Sequence, residues 1–240
     1  MSPRMLFALR AIVVVAIVGI VVLAGSLVQF LLSGGPADTP RTSAERAILS
    51  AEEAVRANPD DPVARVRLAA AYLEQGSAGQ AIEQAQIALR IEPDDPSAYF
   101  VLGAAHAAQG ELDLATQNLT RATQTEGQFA PFYQEVLIVL ARVQEENGDR
   151  EAALDSLEQA LGYGPENATL LVERAQMLER AEQWFEAAFD YAWAVQFVPD
   201  YEEALEGLSR IESTHPEEYQ EAVDLVEQTA AGHQQPPGSE

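Results

Sequence analysis

Three histidines, His106, His215 and His233, are the side chains best suited to acid–base or metal chemistry near neutral pH, and they lie far apart in the sequence. There is no cysteine, which excludes disulfides, zinc–thiolate and iron–sulfur sites and thiol nucleophiles. The chain has no His-Glu-x-x-His helix, no phosphate-binding loop and no glycine-rich strand-to-helix turn. His106 falls inside a helical segment and reads as a packed, satisfied histidine. His215 precedes Pro216 in a turn. Gly162-Tyr163-Gly164 reads as a helix-ending turn. Asn118-Leu119-Thr120 and Asn167-Ala168-Thr169 match a glycosylation pattern, one within a helix and one at a helix start. No catalytic residue, metal ligand or cofactor follows from these patterns, and no enzymatic activity is expected.

The remaining chemistry is charge. Acids number 38 against 14 basic residues, all arginine, and Arg4 and Arg10 precede the first acid, Asp38. Such a surface repels nucleic acid and anionic headgroups and attracts basic segments of proteins.

The elements that position these residues are set by an internal period. Pro59 and Pro93 lie 34 residues apart, as do Pro165 and Pro199, and the interval between the two pairs is two periods lengthened by four residues. Ala47, Ala81, Ala115, Ala153 and Ala187 follow the same spacing, and so do Ala54, Ala88, Ala122, Ala160 and Ala194. Two ladders sharing one insertion define repeats over 62–95, 96–129, 134–167 and 168–201. A half-repeat precedes them over 42–57 and a charged capping pair follows over 202–230. Residues 231–240 are expected to be a disordered tail.

Each repeat resembles the tetratricopeptide repeat (TPR), a pair of antiparallel helices. The resemblance rests on phased sets such as Leu68-Ala69, Tyr72, Gly76, Ala81, Ala88 and Pro93, then Leu102-Gly103, Gly110, Ala115, Leu119 and Ala122. Leu140-Ala141, Gly148, Ala153, Leu157, Ala160 and Pro165 continue it, followed by Ala175, Leu178, Ala187, Tyr191, Ala194 and Pro199. The last repeat departs twice, with Arg174 where Leu is usual and Glu182 where a turn glycine is usual. The expected fold is all-α, a right-handed TPR α-solenoid preceded by one transmembrane helix. Small residues belong where the two helices of a pair cross, and Gly76, Gly110 and Gly148 suit a left-handed residue ending the first helix. The aspartates of Asn-Pro-Asp-Asp-Pro (58–62) and Glu-Pro-Asp-Asp-Pro (92–96) suit helix caps rather than a metal or acid–base site.

The resemblance implies that proteins or peptide segments bind on the face lined by the first helix of each pair. By phase, that face carries Val63, Val66, Arg67 and Ala70, then Phe100, Val101 and Ala104, then Ile138 and Arg142, then Val172 and Gln176. Some of these positions also suit contact with the adjacent repeat. The face lacks the Lys and Asn of carboxylate-clamp TPRs. An apolar floor with Arg67 and Arg142 suits an amphipathic helix or extended segment.

Residues 11–32 carry no charge and span about 33 Å as a helix, close to the bilayer hydrocarbon thickness. They are expected to form a transmembrane anchor in membrane lipid, after a leader over 1–10 and before a linker over 33–41. A cleaved signal peptide ending near Ala24 is the competing reading, but the apolar run continues to Leu32. Arg10 abutting the span favours a cytoplasmic N-terminus and an exported repeat domain at the inner (cytoplasmic) membrane. This layout is similar to single-helix ancillary factors of protein export and to TPR factors of cytochrome c maturation. A membrane-anchored assembly or chaperone-like scaffold is thus expected, with a permanent subunit of a bacterial membrane protein complex as the alternative.

Overall fold

The computed structural model describes residues 42–125 and 128–233. The leader, the membrane segment 11–32 and the linker lie outside the described residues. Among the described residues no helix is long and apolar enough to cross a membrane.

Every regular element among the described residues is an α-helix, and there are eleven. The first, α1 (Ser43–Ala57), opens on a reciprocal cap in which Thr42 Oγ1 accepts from the Glu45 N–H and Glu45 accepts from the Thr42 N–H. Four pairs follow: α2 (Pro62–Glu74) with α3 (Ala78–Ile91), α4 (Pro96–Ala108) with α5 (Leu112–Gln124), α6 (Ala130–Glu146) with α7 (Arg150–Tyr163), and α8 (Ala168–Arg180) with α9 (Trp184–Phe197). The last two are α10 (Glu202–Thr214) and α11 (Pro216–His233). By internal contacts the chain divides into two compact units, Met1–Leu49 and Ser50–Glu240, so the boundary falls inside α1. Within the larger unit each helix packs on its neighbours in order, an all-α TPR-type solenoid.

Local chemistry explains where the helices start and stop. Asp61 Oδ1 accepts from the Ala64 N–H at 3.2 Å and Asp95 Oδ1 from the Ser97 N–H at 2.9 Å. Pro62 and Pro96 then occupy first helical positions, where a missing N–H costs nothing. Asn167 caps α8 in the same way through the Leu170 N–H. The first helices of three pairs end in left-handed glycines, Gly76, Gly110 and Gly148, with φ of 82°, 74° and 86°. The fourth pair uses Glu182 at φ 59°, so the departure visible in the sequence is a strained turn.

The alanine ladders form the seams. Ala81, Ala115, Ala153 and Ala187 are fully buried, as are Ala88, Ala122, Ala160 and Ala194. A Cβ on Gly103 would stand 2.7 Å from Leu119 Cγ, which shows how closely α4 and α5 approach. The first rungs, Ala47 and Ala54, are instead exposed, because no described helix precedes α1 to cover them. Between pairs, one buried position changes size along the chain: Ala85, Leu119, Leu157 and Tyr191. The Tyr191 ring lies directly against Gly207 of α10, leaving no room for a Cβ there.

Two boundaries differ from expectation. The four inserted residues before Gln134 extend α6 by one N-terminal turn, giving 17 residues where the other first helices of pairs have 13. Pro131 sits in that first turn, a position proline favours. The tail expected over 231–240 begins within α11, which runs on to His233, and residues 234–240 lie outside the described residues. Ala230 and Ala231 are strong helix formers and carry the helix past its expected end.

Candidate functional site

The face of the first helices divides into three stretches. In the first, Val63, Val66 and Arg67 line a cleft of about 520 Å³ with Glu92, Asp94 and Gln128. Val63 is 52 % exposed, and Arg67 is exposed and takes part in no hydrogen bond or ion pair among the described residues. Exposed valine beside an unpaired guanidinium gives a partner both apolar contact and a carboxylate anchor. Ala70 and Val66 also pack against the small core beneath, which contains Ala69 and Val101.

In the second stretch, half-buried Phe100 meets Phe132 edge to face, with ring centroids 5.9 Å apart. Ala104 is half-buried nearby in α4. Phe132 and Tyr133 come from the extra turn of α6, which phase alone did not mark as part of this face. Tyr133 donates its hydroxyl hydrogen to the Thr125 carbonyl at 2.7 Å, accepts from the Gln128 N–H, and stacks on Tyr163. The insertion therefore ties the α5–α6 connection to α7.

In the third stretch, Ile138 is half-buried against the main core and Gln176 is exposed. Arg142 is engaged rather than free, donating to both carboxylate oxygens of Glu173 on α8 at 2.6 and 2.9 Å. The hydrogen bond to Glu173 holds its pKa above the ordinary arginine value. Arg180 likewise reaches back to Glu145, and Arg210 to Glu179, which also accepts from the Tyr191 hydroxyl. These pairs brace successive first helices.

Two expected groove residues are core residues. Val101 is 7 % exposed and packs between α4 and α2, and Val172 is 4 % exposed in the main core. Val101 packs against Ala69 and Ala85 of the preceding repeat and Val172 lies within the main core, so neighbouring helices exclude a partner from both. Arg142 also leaves the set of free cations. The structure therefore brings Val63, Val66 and Arg67 together, places Phe100 beside a new aromatic, and leaves Gln176 apart from both.

Elsewhere, His106 is 9 % exposed with Nδ1 against Glu111, a satisfied packing role. His215 stacks on Trp184, ring centroids 4.1 Å apart. Among the described residues no three His, Asp or Glu side chains gather as a metal site. The buried ion pair Arg174–Asp190 is bidentate, with both bonds at 2.7 Å and the Asp190 side chain 1 % exposed. Burial pushes the Asp190 carboxyl above the usual aspartate range, against the pull of Arg174.

Comparison with known proteins agrees with this architecture. A family profile described as TPR repeat matches residues 71–110, and one described as tetratricopeptide repeat matches residues 138–206. No curated protein matches the chain. Among solved structures, the chain is similar to a thermophilic TPR protein of Thermus thermophilus, at 25 % identity and a TM-score of 0.53, covering 71 % of this chain and 89 % of that one. It is similar to YrrB, a TPR protein with an unusual peptide-binding site, at 16 % identity and 0.56, covering 75 % and 100 %. It is also similar to a MamA fragment from Desulfovibrio magneticus, at 18 % identity and 0.57, covering 68 % and 89 %. At 16 % and 18 % identity, YrrB and MamA speak for the fold alone.

Proposed function

We propose that this protein is a non-catalytic scaffold that holds a partner protein along the face of its first helices, with Val63, Val66 and Arg67 as the principal contact. The observation that carries the reading is the exposed cleft at α2, where two valines and an unpaired arginine stand together in a TPR-type array. Burying exposed Val63 and the open part of half-buried Val66 contributes on the order of 1–2 kcal/mol to binding, and Arg67 orients a carboxylate beside them. The matching partner is an amphipathic helix or extended segment whose apolar side meets the valines and whose flanking charges match Arg67 and the Glu92, Asp94 and Asp95 carboxylates that share the cleft. The peptide-binding site named for YrrB supports a peptide ligand by analogy of fold.

The membrane-anchored form of the proposal places residues 11–32 in a bilayer and the repeats on the exported side. The protein then acts as an assembly or chaperone-like factor of the protein export or cytochrome c maturation kind. Affinity purification from native membranes with Val63→Asp/Arg67→Glu beside the wild type tests the contact. The wild type is expected to retain a partner that the variant loses while keeping its helical circular dichroism. An unchanged set of partners would remove the α2 cleft from the account. A single partner at fixed ratio through high salt would favour the permanent-subunit form. Protease protection of the repeats in intact spheroplasts would reverse the assigned side.

A further inference from the structure

The same crevice recurs on the opposite side of the repeats, between successive second helices, and its chemistry changes abruptly along the chain. Between α5, α6 and α7 it is a cleft of about 410 Å³ lined mainly by neutral polar groups such as Thr120, Gln144, Ser156 and Gln159, with Asp155 as its one carboxylate. One repeat on, between α7, α8 and α9, it has about 450 Å³ and a different lining. Its apolar surface comes from Leu154, Leu178, Phe185 and Phe189, with Leu225 of α11 at one side. Its rim carries Glu151, Asp155, Glu158 and Glu186.

The two crevices are related by the repeat, so their residues correspond. Thr120 becomes Glu158, Leu140 becomes Arg174, Gln144 becomes Leu178, Ala152 becomes Glu186, Asp155 becomes Phe189 and Ser156 becomes Asp190. In the first crevice five of these six positions are neutral, Asp155 being the exception, so helix packing does not require the charged and aromatic set. The one cation in the second crevice, Arg174, is occupied by Asp190. None of the four rim carboxylates forms a hydrogen bond or ion pair among the described residues, although Glu158 is close enough to Arg174 to feel its charge. Apolar walls beside unpaired carboxylates lower the local dielectric and strengthen attraction for a cation. Half-buried Phe189, together with Leu225 at 43 % exposure, leaves apolar surface open between the acids.

We propose that the cleft between α7, α8 and α9 is a second docking surface, which takes a basic amphipathic segment of a partner protein. Apolar side chains of the segment enter beside Phe189 and Leu225, and flanking Lys or Arg residues pair with Glu151, Glu158 and Glu186. Charge complementarity selects this occupant, since an acidic segment would be repelled and a purely apolar one would leave the rim unpaired. The surface is separate from the α2 cleft, so either can fail without the other.

The test measures fluorescence anisotropy of a labelled leucine–lysine amphipathic peptide with the full chain in zwitterionic nanodiscs, with empty nanodiscs as the blank. Three charge-neutralising substitutions at the rim, Glu151→Gln/Glu158→Gln/Glu186→Gln, are expected to weaken binding at least tenfold. The same charge change at exposed sites of the half-repeat and first repeat, Glu53→Gln/Glu74→Gln/Glu83→Gln, is expected to change it less than threefold. Leu225→Ala weakens the leucine–lysine peptide and leaves a glycine–lysine peptide at its weak background. Val63→Asp/Arg67→Glu is expected to leave this binding intact. Equal losses for the rim and control triples would reduce the effect to general acidity and overturn the proposal, as would equal binding of the glycine–lysine peptide.

Discussion

The crevices on either side of α7 share a backbone plan and differ in chemistry. In the one toward α5, Ser156 donates to Gln144 at 2.7 Å, a neutral hydrogen bond beneath a polar surface. In the one toward α9, the corresponding pair of positions holds Asp190 and Leu178, and Asp190 turns to Arg174. The difference teaches that the solenoid constrains its alanine seams strictly and its crevices loosely. Small residues recur where helices cross, whereas crevice residues change class from one repeat to the next. Chemistry that the seams do not need is where a function can be built.

The largest effect expected from this comparison concerns the buried pair. Asp190→Ala leaves Arg174 uncompensated in a buried site and is expected to destabilise the protein by about 3 kcal/mol or more in urea denaturation. Copying the neighbouring crevice with Arg174→Leu/Leu178→Gln/Asp190→Ser is expected to restore stability to within about 1 kcal/mol of wild type. A triple variant as unstable as Asp190→Ala would show that the second crevice needs its ion pair to fold. On the other side of α7, Tyr133→Phe removes the bonds to Thr125 and Gln128 while keeping the ring stacked on Tyr163. A loss of about 1 kcal/mol is expected, read from the same denaturation midpoints. The turns beside the two crevices differ too, with Gly148 in one and Glu182 at φ 59° in the other. Glu182→Gly is expected to stabilise the protein by about 1 kcal/mol, and a decrease would mean the Glu182 side chain has a role its turn does not show. The smallest effect belongs to the exposed brace: Arg142→Gln should cost about 0.5 kcal/mol or less, and raised salt should erase it.

Much of the scaffold was legible in the sequence because seams and turns are local and repeated. Ala81 and its successors, the Asp-Asp-Pro caps and the glycines at 76, 110 and 148 each have one physical solution, and the period multiplies the signal. Arg174 and Glu182 were visible as departures from the repeat, but their consequences were not. The partner of Arg174 lies on a different helix, 16 residues away, and nothing in the period points to Asp190. The candidate face was read less well for a similar reason. Phase assigns a residue to a side of its helix, but exposure depends on how closely the neighbouring helices lean in, which buried Val101 and Val172. Long arginines add a further ambiguity, since Arg67 and Arg142 stand at repeat positions one helical turn apart and only Arg142 finds a carboxylate across the seam. Phe132 was missed because it lies in the inserted turn, which the repeat pattern does not describe.

The most direct test of the scaffold reading is site-specific photo-crosslinking in intact cells, with the crosslinking residue placed at Val63 and, in a parallel strain, at Thr120 of the neutral crevice. The account predicts a discrete crosslinked protein band from Val63 and none from Thr120. Crosslinks of equal intensity from both positions, or none from Val63, would contradict it.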